Sequence, residues 1–188
     1  MTGTTATGET AALLRGRRTT HAFKPELPPR ELILQAIELA RWAPNHRLTE
    51  PWRFHLLGRR TAGALADLNA ELTAAKQDAA AAEAKRRRWL SVPGWLLVTC
   101  VKSADAVQAR EDYAACACAV QNLMLYLWSR GVGTKWNTGK VTRDPRFFEC
   151  VGVDRGREEV VSLLWYGYPA EVTETRRQPL EKILRERP

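Results

Sequence analysis

The stretch that most constrains this chain runs from Arg110 to Lys140. From Arg110 to Arg130 it contains no Gly or Pro and is rich in Ala, Leu and Met, so it reads as a long helix. Glu111 and Asp112 fall in its expected first turn and Arg130 in its last, both favourable for the helix dipole. Between these ends it is apolar almost all round, which requires burial on several sides. Small Ala and Cys residues in its first half would let another helix approach closely. Gly131 and Gly133 stop the helix, and Thr134 to Thr138 reads as a short strand entering a loop at Gly139. The apolar part, Ala114 to Trp128, is shorter than the roughly 20 residues a bilayer needs, and it carries Gln121 and Asn122. A core helix is expected, not a membrane span.

A core helix needs a core. With 188 residues, 45% of them hydrophobic, the chain is the right size for one domain. Residues 1–12 are expected to form a disordered tail and 13–188 the domain. The formal charge of +8 favours an anionic partner: nucleic acid, a membrane surface or a phosphorylated small molecule. The basic residues are scattered, apart from Lys85–Arg88, which reads as a solvated helix end. Cys100, Cys116, Cys118 and Cys150 lack zinc-site or CxxC spacing, and Cys116 and Cys118 point about 200° apart on a helix. They read as small buried hydrophobes in a reducing compartment. The N-terminus lacks the basic start and apolar run of a signal peptide, so a cytoplasmic location is expected.

Along the chain, Ala11–Gly16 reads as a helical turn leading into Arg17–Phe23. Extended residues alternate faces, so Arg17, Thr19 and His21 share one side. A guanidinium fork, a hydroxyl and an imidazole together suit a phosphate. Pro28 and Pro29 introduce a helix that runs to Arg41 and ends at Pro44. A loop dense in polar and ring side chains, Ala43–Trp52, then enters a strand at Arg53–Leu57. Ala62–Arg88 is helical by propensity, and its thin apolar stripe points to a surface helix or helix pair. Trp95–Val101 and Glu159–Tyr168 are near-continuous apolar runs, expected as buried strands. A last short helix closes the chain.

Several of these segments, in this order, resemble the nitroreductase family of FMN-dependent oxidoreductases, especially its small single-domain members. The resemblance rests on Arg17-Arg18-Thr19, Arg41-Trp42-Ala43-Pro44, Pro51-Trp52, Gln121-Asn122-Leu123, Gly131-Val132-Gly133-Thr134-Lys135-Trp136 and Gly167-Tyr168-Pro169-Ala170. It covers the chain from about Leu13 to Leu184. It implies an α+β fold, with a central mixed β-sheet flanked by helices and FMN at a homodimer interface. By position, Arg17, Arg18 and Thr19, with His21 beside them, would hold the FMN phosphate and ribityl chain, and Arg177 would lie near the phosphate. His21 stands where the family often has Lys or Arg. Trp42 and His46 would come from the loop of the partner, and Trp136, Asn137 and Thr138 would lie beside the flavin.

The activity implied is hydride transfer from NADH or NADPH, through flavin N5, to a small-molecule electron acceptor such as a nitroaromatic or quinone. One pocket would serve both half-reactions in a ping-pong cycle, so no acid–base residue is nominated and no metal is expected. No GxGxxG opens a βαβ unit, which leaves the reductant without a pocket of its own. Two other classes stay open: a nucleic-acid-binding module using the positive charge and aromatic stacking, which is disfavoured, and a family member that binds flavin without turnover.

Overall fold

The computed structural model describes residues 3–187; Met1 and Thr2, at the head of the expected tail, and Pro188 lie outside the described residues. In chain order the elements are α1 (Gly3–Gly16), α2 (Arg30–Ala40), β1 (Trp52–Leu57), α3 (Arg59–Ala74), α4 (Ala79–Leu90), β2 (Gly94–Val101), α5 (Ala106–Ser129), β3 (Gly133–Asn137), α6 (Pro145–Val151) and β4 (Glu158–Gly167). The helical turn expected at Ala11–Gly16 thus extends back to Gly3, and the expected last helix is a single 3₁₀ turn, Leu180–Lys182.

The long helix begins a turn earlier than its composition suggests. Asp105 accepts a hydrogen bond from the Gln108 N–H at 2.8 Å, satisfying one of the free donors of a helix start. Glu111 and Asp112 consequently sit in the second turn. At the other end Gly131 adopts φ +76°, the left-handed conformation that glycine enters without penalty. Gly131 N–H then bonds the Trp128 carbonyl at 3.0 Å and Val132 N–H the Leu127 carbonyl at 2.9 Å, the paired closure of a Schellman turn. Leu127 and Val132 are both buried, completing that motif with an apolar contact.

The four strands form one sheet in the order β1-β2-β4-β3, and every adjacent pair is antiparallel. Among the described residues the one parallel pairing is an isolated bridge between Thr19 and Thr134, so the mixed character expected of the sheet reduces to that bridge. Strand alternation sorts the interior into two cores. Leu96, Val98 and Cys100 of β2 pack with Ile33, Ala36 and Ala40 of α2 and with Ala115, Ala119, Leu123 and Leu127 of α5. Trp95 and Leu97, pointing the other way, pack with Leu65 and Leu68 of α3, Trp89 of α4 and Phe147 of α6.

The second core corrects the reading of 62–88 as a surface feature. α3 and α4 are a helix pair, but Leu65 and Ala66 are fully buried. The stripe is thin because Ala62, Ala66, Asn69 and Thr73 supply little apolar bulk. Trp89, Trp95 and Trp165 supply it instead, with ring centroids 5.3–5.6 Å apart. Cysteine burial also differs from expectation: Cys100 and Cys116 are buried, whereas Cys118 is exposed, and all four are free. Burial and the neighbouring Cys100 push the Cys116 thiol up, so it stays protonated.

One irregularity matters for the site. In the β2–β4 register Val98 opposes Ser162 and Thr99 opposes Val160, leaving Val161 as the extra residue of a β-bulge. Its carbonyl accepts the indole N–H of Trp136 at 3.1 Å.

Candidate functional site

β3 lies at the edge of the sheet, and what it meets there is the chain leaving α1. Thr20 N–H bonds the Thr134 carbonyl at 3.0 Å, Lys24 N–H bonds Tyr168 and Ala170 N–H bonds Ala22. Residues 19–24 are therefore stitched between the start of β3 and the end of β4. The close approach depends on Gly133: a Cβ there would stand 2.1 Å from the Thr20 hydroxyl oxygen and 2.9 Å from Pro169. Thr20 is buried beneath this crossing, which turns Arg17, Thr19 and His21 outward.

The chain beyond Pro169 then folds back over that outward side. Thr173, Glu174, Thr175 and Arg177 close a cavity of about 260 Å³ with Arg17, Arg18, Thr19 and His21. Five of the residues singled out in the sequence are thus brought to one place, from segments about 160 positions apart. Arg17 is the most enclosed cation. Burial first, then the charges of Arg177 and Arg18, hold its guanidinium below its ordinary pKa. Arg18 spends one amino group on the backbone carbonyls of Arg15 and Arg17. Arg177 donates to the Thr175 hydroxyl at 3.1 Å. One carboxylate, Glu174, lines the cavity; the rest of the lining offers guanidiniums, hydroxyls and a histidine. This donor set binds a dianionic oxyanion such as a phosphate.

The three β3 candidates separate. Thr134 turns its carbonyl outward to Thr20, so by alternation Trp136 also presents its backbone N–H and C=O on the outer edge. Its ring does not stand free: it packs against the α5-side core and caps the bulge carbonyl of Val161. Asn137 faces the opposite side of the sheet, its amide donating to Leu163 and Lys135 carbonyls at 3.1 and 3.3 Å. Thr138 lines another cavity with Lys102, Tyr113 and Glu159.

Trp42 and His46 lie on the α2–β1 loop and do not line the Arg17 cavity. Trp42 is 78% exposed. His46 Nδ1 lies 2.8 Å from Glu111 of α5, and the Thr49 hydroxyl donates to the buried Asp112 carboxylate at 2.5 Å. Gln108 donates to the same carboxylate at 2.9 Å. The Asn45 side chain accepts from Glu50 N–H at 2.7 Å. This pinning sustains three non-glycine residues with positive φ, Arg47, Leu48 and Glu50, a concentration of backbone strain that stable folds tolerate at functional loops. The loop therefore presents Trp42 and the 81% exposed Leu48 outward on a rigid frame. Nothing in the sequence signalled the strain, nor that Thr173–Thr175 would wall the cavity.

The whole-chain comparisons agree with this architecture. The model of the Nitroreductase family matches residues 14–168. The YfhC protein of Bacillus subtilis, which carries the provisional name NAD(P)H nitroreductase, is 32% identical over 170 residues, covering 88% of this chain and 87% of its own. The crystal structure of a nitroreductase-like family protein from Bacillus cereus superposes with a TM-score of 0.83 at 31% identity, covering 94% of each chain. The fold also matches that of the FMN-dependent nitroreductase NfnB of Mycobacterium smegmatis, solved in complex with NADPH, with a TM-score of 0.81 at 16% identity over 97% of this chain and 100% of that one. On the family model and the two relatives above 30% identity, the chain belongs to the nitroreductase family.

Proposed function

We propose that this protein is an FMN-dependent oxidoreductase, a single domain over residues 13–188 that works as a cytoplasmic homodimer and transfers hydride from NADH or NADPH to a small electron acceptor. The observation that carries the reading is the convergence of Arg17, Arg18, Thr19, His21 and Arg177 on one cavity beside the outer edge of β3. The donor set fits the phosphate of FMN, with Arg17, Arg18 and Arg177 supplying positive charge from three guanidiniums. When bound, FMN supplies the redox chemistry; nitroaromatics and quinones are the acceptor classes its reduced form serves.

The protein's own contributions follow from the geometry. Arg17 and Arg177 neutralise the phosphate, Thr19 donates to it, and the Trp136 backbone meets the ring system with one donor and one acceptor. Trp42 and His46 sit away from the cavity of their own chain, which suits a loop that completes the cavity of a second copy. The open side of α5, running through Ala114, Ala117, Cys118 and Leu125, offers the small-residue surface for that pairing. Leu34 and Leu39 of α2 are exposed as well. Among the described residues no helix is long and apolar enough to cross a membrane.

Arg17→Ala is expected to weaken FMN binding by about 1.5–3 kcal/mol, the value of a hydrogen bond to a charged group. Titration of folded apoprotein with FMN measures this, and unchanged affinity removes Arg17 from the site. The shared pocket makes a kinetic prediction. With reductant and acceptor using one place in turn, double-reciprocal plots at fixed acceptor concentrations give parallel lines. Intersecting lines require a ternary complex and exclude the shared pocket.

A further inference from the structure

A second cavity lies on the other side of the sheet, beside α3 and α4, and the cradle of Arg17 takes no part in it. Its volume is about 670 Å³, within the range of small-molecule sites. Six cations line it: Lys76 just beyond α3, Lys85 and Arg88 on α4, Lys135 on β3, and Lys140 and Arg143 in the 3₁₀ turn after β3. The one carboxylate of the lining, Asp144, is already engaged by Arg146 at 3.2 and 3.3 Å. Such an accumulation of like charge around a recess costs stability unless something of opposite sign enters it.

The floor carries a second, independent observation. Asn69 and Trp165 both belong to the lining, and the Asn69 amide nitrogen and the Trp165 indole nitrogen are buried behind it without a hydrogen-bond partner. Asn69 is 6% exposed and Trp165 2%. Buried donors without acceptors are rare in folded proteins and mark a place where an acceptor belongs. Lys135 sits above the Trp165 ring, its ammonium 4.9 Å from the centroid, and burial with Arg88 nearby holds it below its ordinary pKa. Leu72 and Val141 give the same recess an apolar wall.

We propose that this cavity binds a small organic phosphate, its body against Leu72 and Val141, its phosphate oxygens on the lysine and arginine rim, and its acceptor atoms on Asn69 and Trp165. A phosphate group brings close to two negative charges and three acceptor oxygens, which matches both the cations and the orphaned donors. The cations surround a recess that suits a compact ligand better than an extended nucleic-acid backbone crossing the surface. The cavity shares no cation with the Arg17 cavity, and the one flavin candidate in its lining is Asn137.

The test is calorimetric titration of the protein as purified, saturated with FMN, using ADP, pyrophosphate and adenosine as probes. ADP and pyrophosphate should bind saturably and adenosine should not. Lys85→Ala/Arg88→Ala, both on the surface of α4, should weaken ADP binding at least tenfold without changing FMN content. Asn69→Leu should weaken it too while leaving thermal stability equal or higher, since it removes an unsatisfied buried group. The proposal is overturned if ADP and pyrophosphate fail to bind, if the α4 variant binds ADP as well as the wild type, or if Arg17→Ala abolishes the binding instead. It is equally overturned if a single-stranded oligonucleotide binds through Lys85 and Arg88 while ADP does not.

Discussion

Ala119→Arg is expected to yield no folded protein, whereas Cys118→Arg, one position earlier on the same helix, folds and loses its partner. Ala119, on α5, is fully buried in the apolar cluster that α5 forms with α2 and the sheet. A guanidinium there must be desolvated without compensation, a cost of several kcal/mol on top of the overpacking. That is comparable to the whole stability of an ordinary domain, about 5–15 kcal/mol. Cys118 points out of the fold. Its replacement leaves the protomer core intact and places a charge on the α5 surface proposed to face the second copy. Circular dichroism separates the two outcomes, and sedimentation of Cys118→Arg then reads the assembly. A folded Ala119→Arg variant would contradict the packing of α5; a Cys118→Arg variant that stays dimeric would move the interface elsewhere.

The other large effect belongs to the opposite core. Trp95 is 2% exposed and contacts Trp89 and Trp165 at centroid distances of 5.3 and 5.6 Å. Its indole N–H also reaches the Val92 carbonyl at 3.3 Å. Trp95→Ala removes a large buried ring and leaves a cavity that two other tryptophans cannot collapse into, at a cost of about 3–5 kcal/mol. For a domain of this length each kcal/mol lowers the melting temperature by roughly 2–4 °C. The expected fall is therefore on the order of 10 °C, readable by calorimetry. FMN affinity of the folded fraction should not change, because the cluster lies across the sheet from the bulge and the Trp136 edge. A variant that melts like the wild type would mean the three rings do not form one packed unit.

The parts of this molecule legible in its sequence are those specified by local chemistry. Gly131 and Gly133 announced the end of α5, and the apolar runs around Leu96 and Leu164 announced the two buried strands. The Arg17-Arg18-Thr19 segment and Arg177 were nominated together through the family resemblance, and they do line one cavity. What stayed hidden depends on pairing between distant segments. The bulge at Val161 follows from the β2–β4 register, so the assignment of the Trp136 indole to its carbonyl had no local signal. Asn137, by contrast, falls on the opposite face from Trp136 by strand alternation alone. The core role of α3 was masked because its small buried residues take their bulk from tryptophans on other elements. The strained residues of the α2–β1 loop, Arg47, Leu48 and Glu50, are ordinary in type; the ties to Glu111 and Asp112, with the Asn45 side chain on Glu50 N–H, hold them there.

The central claim is that one flavin site is built from the Arg17 cradle of one protomer and the Trp42–His46 loop of the other. Subunit complementation tests it most directly. Two differently tagged variants are prepared, Arg17→Ala/Arg177→Ala and Trp42→Ala/His46→Ala, and hybrids are isolated after co-expression. Each variant alone should retain little flavin, while the hybrid, with one cavity made entirely of native residues, should hold one FMN per dimer and about half the wild-type activity. A hybrid as empty as its parents would show that the loop serves the cavity of its own chain, and the shared site would be contradicted.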